Sequence, residues 1–189
     1  MEIPELFKVP PKLLTWKEVF SEPSKVPDTA GVYRWYFRSS CFQQVPTEDS
    51  LLVRESFRRL YVGISPRKPR TDGQRSKATL KSRIRFHFEG NAERSTLRLS
   101  LGCLLGIELR RVGCSLTFGD DEQTLNEWLR QNALVDCVPW CEPWTIERIL
   151  INGESLPLNL AHNRKHPFNK VLSEARRTAR KRAQELFVV

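Results

Sequence analysis

"GVYRWYF", Gly31 to Phe37, returns in near mirror image as "LYVGIS", Leu60 to Ser65. Both runs are short and rich in Val, Tyr, Trp and Phe, and both read as β-strands. Alternation along the first places Tyr33, Trp35 and Phe37 on one face. The intervening stretch, Arg38 to Arg59, is too long for a tight hairpin turn and accommodates a helix near Ser50 to Arg59. Downstream, Thr79 is positioned to cap a helix running to about Phe88, and Glu93 to Leu105 reads as a second helix. Ile107 to Val112 and Cys114 to Phe118 read as strands, and Asp120 to Ala133 as a helix. Pro143 suits the first turn of a helix reaching Ile151, where Asn152-Gly153 stops it. A last helix is expected from Pro167 to Phe187. The pattern predicts an α/β (α+β) chain with a small central antiparallel sheet flanked by helices.

Composition narrows the function classes. A chain of 189 residues suits one domain with a core of its own, here expected to span 1–189. With 40% hydrophobic and 28% charged residues, no apolar run approaches the roughly 20 residues a membrane helix needs, so no membrane association is expected. The opening MEIPELFKVPPKLL lacks a basic segment followed by an apolar one. Cys41, Cys103, Cys114, Cys137 and Cys141 are odd in number, which fits reduced thiols serving as small core residues. These features predict a cytoplasmic protein.

The net charge of +9 is concentrated in two segments. Arg67, Lys68, Arg70, Arg75, Lys77, Lys81, Arg83 and Arg85 face a single acid, Asp72. Arg164, Lys165, Lys170, Arg176, Arg177, Arg180, Lys181 and Arg182 face only Glu174. Each segment carries +7, which leaves −5 on the remainder. Localised basicity of this kind is the footprint of a phosphate-backbone binder, and also of a solvated helix face.

Three polar residues fall on apolar helical stripes. Leu80, Ile84, Phe86 and Phe88 define an arc at 100° per residue, and Arg83 and His87, spaced i and i+4, lie inside it. Glu147 similarly sits among Trp144, Leu150 and Ile151. Buried charge is costly unless paired, hydrogen-bonded or metal-bound. Two readings follow: a functional constellation, or a structural Arg83–Glu147 ion pair.

Taken together, these residues resemble the GIY-YIG nuclease superfamily. The carriers are Gly31-Val32-Tyr33, Tyr61-Val62-Gly63, Leu80-Lys81-Ser82-Arg83 with His87 one turn on, Glu147 followed by Leu150-Ile151, and Pro157-Leu158-Asn159. The resemblance spans about 31–159, with 160–189 as a basic C-terminal extension. It departs from the usual pattern in the 38–59 insertion and in the longer basic loop before Arg83, where recognition is commonly placed.

The resemblance implies a divalent-metal-dependent endonuclease that hydrolyses phosphodiester bonds of nucleic acid, with DNA the expected partner. It implies catalytic roles for Tyr33, Tyr61, Arg83, His87, Glu147 and Asn159. Tyr33 stands at the general-base or relay position with Tyr61 beside it, and Arg83 suits bidentate phosphate binding. His87 would orient phosphate or share the proton transfer, and Asn159 would hold substrate or Tyr33. Glu147, a hard oxygen donor, would carry one Mg²⁺ or Mn²⁺. Phosphate contacts are expected from Arg67, Lys68, Arg70, Arg75, Lys77, Lys81, Arg85, Arg176, Arg177, Arg180 and Lys181. The spacings Cys137-x₃-Cys141 and His162-x₃-His166 also fit a structural zinc site. However, the Glu147 segment and Pro157-Leu158-Asn159 between them are explained by the nuclease reading alone. The alternatives are a nucleic-acid-binding protein that retains the scaffold without cutting, and an adaptor whose basic helix binds an acidic protein.

Overall fold

The computed structural model describes residues 3–8, 12–53, 56–69, 71–74 and 76–188. In chain order its elements are α1 (Glu5–Lys8), α2 (Trp16–Phe20), β1 (Gly31–Arg38), β2 (Leu52–Val53), β3 (Phe57–Ser65), α3 (Leu80–Glu89) and α4 (Thr96–Leu104). There follow β4 (Arg110–Val112), β5 (Ser115–Thr117), α5 (Glu122–Asn132), β6 (Ala133–Pro139), α6 (Glu147–Asn152) and α7 (Phe168–Glu185). An antiparallel sheet of order β2-β3-β1-β6 forms the centre, while β4 and β5 make a separate hairpin. The chain is therefore α+β, as the pattern of elements predicts.

Both faces of the sheet are covered, which explains why β1 is buried from Gly31 through Phe37. Tyr33, Trp35 and Phe37 do share a face. They pack with Leu60 beneath Leu80, Ile84 and Phe88 of α3 and Leu125 and Leu129 of α5, in a core that also takes Leu172 of α7. On the opposite face Val32, Val62, Ile64 and Val138 meet Phe7, Ile146, Leu150 and Ile151.

One expectation needs correction, and one strand is not anticipated by the sequence pattern. The 38–59 insertion holds no helix at Ser50 to Arg59 among the described residues. Leu52–Val53 instead adds the edge strand β2, and β3 begins at Phe57, ahead of Leu60. The strand that the sequence pattern leaves unassigned is Ala133–Pro139, the partner of β1 opposite β3. Its start directly abuts α5, and at its middle Asp136 lies opposite Arg34 in register and accepts a hydrogen bond from the Arg34 Nε at 2.8 Å. A buried carboxylate in this strand is tolerable because that guanidinium satisfies it.

Local chemistry explains the helix positions. Thr79 caps α3 as expected: its side chain accepts from the Ser82 N–H, and the Ser82 hydroxyl accepts from the Thr79 N–H in a reciprocal capping box. Ser95 caps α4. Arg98 in the first turn of α4 is wholly buried, pairs with Glu122 at 2.5 Å and donates to the His87 and Phe88 carbonyls. The Arg98 side chain thus ties α4 to the end of α3 by hydrogen bonds and to the start of α5 by an ion pair.

Candidate active site

The mirrored triplets meet across the β1–β3 ladder, where Tyr33 lies opposite Gly63 and Trp35 opposite Tyr61. Tyr33 and Tyr61 are therefore diagonal neighbours on one face, with their rings stacked at 6.4 Å between centroids. Tyr33 is buried, and its phenolic oxygen lies 2.8 Å from His87 Nε2. His87 Nδ1 lies 2.8 Å from Ser95 Oγ, which also accepts the Arg98 N–H at 3.1 Å. A hydrogen-bonded line runs from strand to helix cap: Tyr33, His87, Ser95.

Burial sets the protonation states along this line. It pushes the Tyr33 phenol far above its ordinary value, with the neighbouring Tyr61 adding to the rise. It holds the fully buried His87 well below 6.5, an effect that Arg83, Arg98 and Arg67 reinforce. Tyr33 is a neutral phenol and His87 a neutral imidazole near pH 7. One ring nitrogen of a neutral imidazole carries a proton and the other accepts, so the pair can exchange a proton without a resting charge.

The Tyr33 and Tyr61 rings form one wall of a cavity of about 490 Å³. Arg83 of α3, Glu147 at the start of α6 and Asn159 line it as well. Arg67, Lys68, Arg83, Ile64 and Thr96 also line a second cavity of about 660 Å³, so the two adjoin at the basic loop. Arg83 donates to the Arg94 carbonyl at 3.1 Å. Among the described residues no ion pair joins it to Glu147, which removes the structural-pair reading. Glu147 is half-buried, and burial raises its carboxyl against the opposing pull of His162 and Arg67. Among the described residues nothing hydrogen-bonds or pairs with that carboxylate. Its oxygens are free for a hydrated hard cation, the donor type that Mg²⁺ or Mn²⁺ prefers.

Asn159 is in the cavity wall, yet its amide is already engaged. Its Oδ1 accepts from the Val62 N–H at 2.9 Å, and its Nδ2 donates to the Val62 carbonyl at 2.8 Å. It clasps the middle residue of Tyr61-Val62-Gly63 as another strand would, in place of the expected hold on Tyr33. Asn163 repeats the device, donating to the Leu156 and Asn159 carbonyls.

The expected phosphate contacts divide. Arg67 and Lys68 are exposed at the shared cavity wall. Lys77, Arg177, Arg180 and Lys181 are exposed and Lys81 is half-exposed, while Arg70 and Arg75 lie outside the described residues. Arg177 pairs with Glu174. Two residues differ from expectation. Arg85 turns away from the cavity to α2, pairing with Glu22 at 2.9 Å and lying over the Phe20 ring. Arg176 is 8% exposed rather than part of the solvated basic face, and it lines the tyrosine cavity.

Sequence reasoning did not single out Ser95, Arg98 or Thr96. The signal available was a Ser before an apolar helix, an N-cap, and nothing in it announces a hydrogen bond to His87. No group of three His, Cys, Asp or Glu able to hold a metal occurs among the described residues, and His166 faces Ser155 Oγ at 3.2 Å, so the zinc spacing is not realised as a site. All five cysteines are free; Cys41, Cys103 and Cys137 pack against the core, whereas Cys114 and Cys141 are exposed.

Two strand tyrosines, a helical Arg and a helical Glu line one cavity of a helix-flanked antiparallel sheet, with a helical His hydrogen-bonded behind Tyr33. The GIY-YIG catalytic domain model matches residues 31–178, and the chain belongs to that family. The match runs past Asn159 into α7. Members are generally endonucleases acting on phosphodiester bonds, and generally use divalent metal ions. No curated protein and no solved structure matches the chain. No helix among the described residues is long and apolar enough to cross a membrane.

Proposed function

We propose that this protein is an endonuclease that hydrolyses DNA phosphodiester bonds with the aid of one divalent ion. The observation that carries the reading is the Tyr33–His87 hydrogen bond at the wall of a cavity that Arg83 also lines, together with Glu147, which has no partner among the described residues. Glu147 would hold Mg²⁺ or Mn²⁺, which when bound supplies charge neutralisation at the phosphate and a more acidic water.

The remaining roles belong to the chain. A water oxygen attacks phosphorus as the P–O3′ bond breaks; the proton it sheds passes to the Tyr33 oxygen, and the departing O3′ takes its proton from solvent water in the cavity to leave as a 3′-hydroxyl. Tyr33 gives its own proton to His87 Nε2, so no phenolate accumulates in a site where burial opposes it. The imidazolium so formed is disfavoured at rest and becomes tolerable as negative charge develops on the phosphate beside it. In the tautomer that accepts at Nε2, His87 donates Nδ1–H to Ser95 Oγ, which fixes the ring. Arg83 neutralises the equatorial phosphate oxygens, and Tyr61 packs against Tyr33 to set its ring plane. Asn159 acts by holding Val62, and through it the Tyr61–Gly63 backbone. Exposed Arg67, Lys68 and Lys77 and half-exposed Lys81 would track the flanking phosphates.

The test is incubation of the purified full chain with end-labelled single-stranded, duplex and branched DNA, in Mg²⁺, Mn²⁺ or chelator. Metal-dependent products bearing 5′ phosphates are expected. Tight binding of every substrate with no product in either metal would overturn the reading in favour of a non-cutting DNA-binding protein.

A further inference from the structure

The last helix carries an arginine where its apolar stripe should continue. Phe168, Leu172 and Ala183 of α7 are buried at 4%, 0% and 0% exposure, Ala179 packs against the same core, and Arg176 falls on this face at 8%. Arginine at such depth normally has a carboxylate or carbonyls to satisfy it, as Arg34 has Asp136 and Arg98 has Glu122. Arg176 has neither. Among the described residues no hydrogen bond or ion pair reaches its guanidinium, and its Nε is buried without a partner. The titratable groups that act on it are Arg180, Cys103 and Tyr61, none of them an anion at neutral pH.

Its Nε is closed off from water without a partner, which is unfavourable, and the remainder of the guanidinium opens to the cavity, where a counter-charge would satisfy it. The cavity it lines is the one holding Tyr33, Tyr61, Arg83 and Glu147. Arg83 enters this cavity from α3 and Arg176 from α7, two elements with no side-chain pairing between them. Burial of Arg176 depresses its affinity for its proton, yet a guanidinium stays charged under all ordinary conditions.

We infer that Arg176 is a built phosphate-binding residue, donating its free N–H groups to a non-bridging oxygen of the phosphate bound between Tyr61 and Glu147. The substrate is thereby gripped by guanidinium groups from two helices, and the inner face of α7 belongs to the active centre while its exposed outer face is left for flanking DNA. The inference rests on the phosphodiester-hydrolysis reading for its catalytic consequence, and on the unpaired buried cation alone for its anion site.

Three versions of the 189-residue chain test it: wild type, Arg176→Met, which matches the stem without the charge, and Arg176→Lys, which keeps a charge without the bidentate fork. Thermal unfolding is followed in increasing inorganic phosphate, and single-turnover cleavage of duplex DNA is followed in Mg²⁺. Arg176→Met is expected to melt at or above the wild-type temperature without phosphate, to lose the phosphate-induced rise, and to cleave about a hundredfold more slowly. Arg176→Lys is expected to lie between the two in both readouts, and it carries the test if the methionine variant does not fold. A phosphate response and cleavage rate unchanged in both variants would overturn the inference while leaving the nuclease reading intact. If wild type cuts nothing but its phosphate response depends on Arg176, the anion site stands and the nuclease reading fails.

Discussion

Gly63 faces Tyr33 across the β1–β3 ladder so closely that a Cβ placed on Gly63 would lie 2.5 Å from the Tyr33 hydroxyl and ring. This is a reason for glycine in the second triplet that does not involve backbone freedom: the reactive ring occupies the space a side chain would take. Gly63→Ala should displace Tyr33 and break its bond to His87. The expected result is a native-like circular dichroism spectrum with cleavage reduced at least a hundredfold, similar to Tyr33→Phe. An alanine variant cutting at the wild-type rate would show that Tyr33 does not work from this position.

Asn159 should prove more important to stability than to chemistry. Its truncation to Ala orphans the Val62 N–H and carbonyl in a buried strand, each costing about 1–3 kcal/mol. Urea unfolding should report a loss of about 2–4 kcal/mol for Asn159→Ala. Any decline in cleavage should follow from a displaced Tyr61. An unchanged midpoint with abolished cleavage would return Asn159 to a direct role on substrate.

The sequence made the site more legible than the sheet. Tyr33, Arg83, His87 and Glu147 could be read because each breaks a pattern, either by mirroring a triplet or by placing a polar group on an apolar stripe. The strand at Ala133–Pro139 could not, because α5 passes straight into it without Gly or Pro and because Asp136 looks foreign to a buried strand until Arg34 is placed opposite. Helical periodicity places Arg176 and Leu172 on the same face, but the abundance of charge around Arg176 makes the face read as solvated. Whether a given arginine lies inside or outside depends on packing against α4 and the cavity, which charge density does not encode. Similarly, Arg85 is one helical position among several basic ones, and only the placement of α2 turns it to Glu22.

Stability should fall in two separate steps on acidification. His87 titrates far below 6.5 in the folded protein, so below about pH 6.5 the unfolded chain binds a proton that the folded one refuses. Stability is thus lost as pH drops from that point, by at most about 1.4 kcal/mol per pH unit. Glu18 is held down to about 2 by Lys25 and the Thr15 cap of α2, so its contribution is present above its ordinary 4.5 and disappears as pH falls toward 2. Melting temperatures between pH 8 and 3 should show both steps, and Glu18→Gln should flatten only the lower one. A flat profile from pH 7 to 5 would contradict a neutral buried His87.

Salt should separate grip from catalysis. If six or so of the exposed cations on the basic loop and α7 contact phosphates, affinity for duplex DNA should fall on the order of a thousandfold between 50 and 200 mM salt. Neutralising Arg177, Arg180 and Lys181 together removes only exposed charge and should lower the slope without altering the melting temperature. An unaltered slope would make the outer face of α7 a solvated surface.

Glu147 provides the sharpest separation between chemistry and structure. A carboxylate engaged in a buried ion pair would cost roughly 3–5 kcal/mol to remove, because the abandoned partner stays charged and buried. Here Arg83 instead donates to the Arg94 carbonyl, and no partner among the described residues would be abandoned. Glu147→Gln changes little volume and removes a half-buried negative charge, so its melting temperature should equal or exceed that of wild type. Arg83→Ala gives up one hydrogen bond, a loss of about 1 kcal/mol. Cleavage should nevertheless be nearly abolished by Glu147→Gln and lowered about a hundredfold by Arg83→Ala, with DNA affinity kept in the former. Calorimetric titration with Mg²⁺ or Mn²⁺ supplies the independent measurement: binding to wild type and none to Glu147→Gln is expected. Equal metal binding by both proteins, or loss of cleavage accompanied by a large fall in melting temperature, would mean that Glu147 holds the fold rather than the ion.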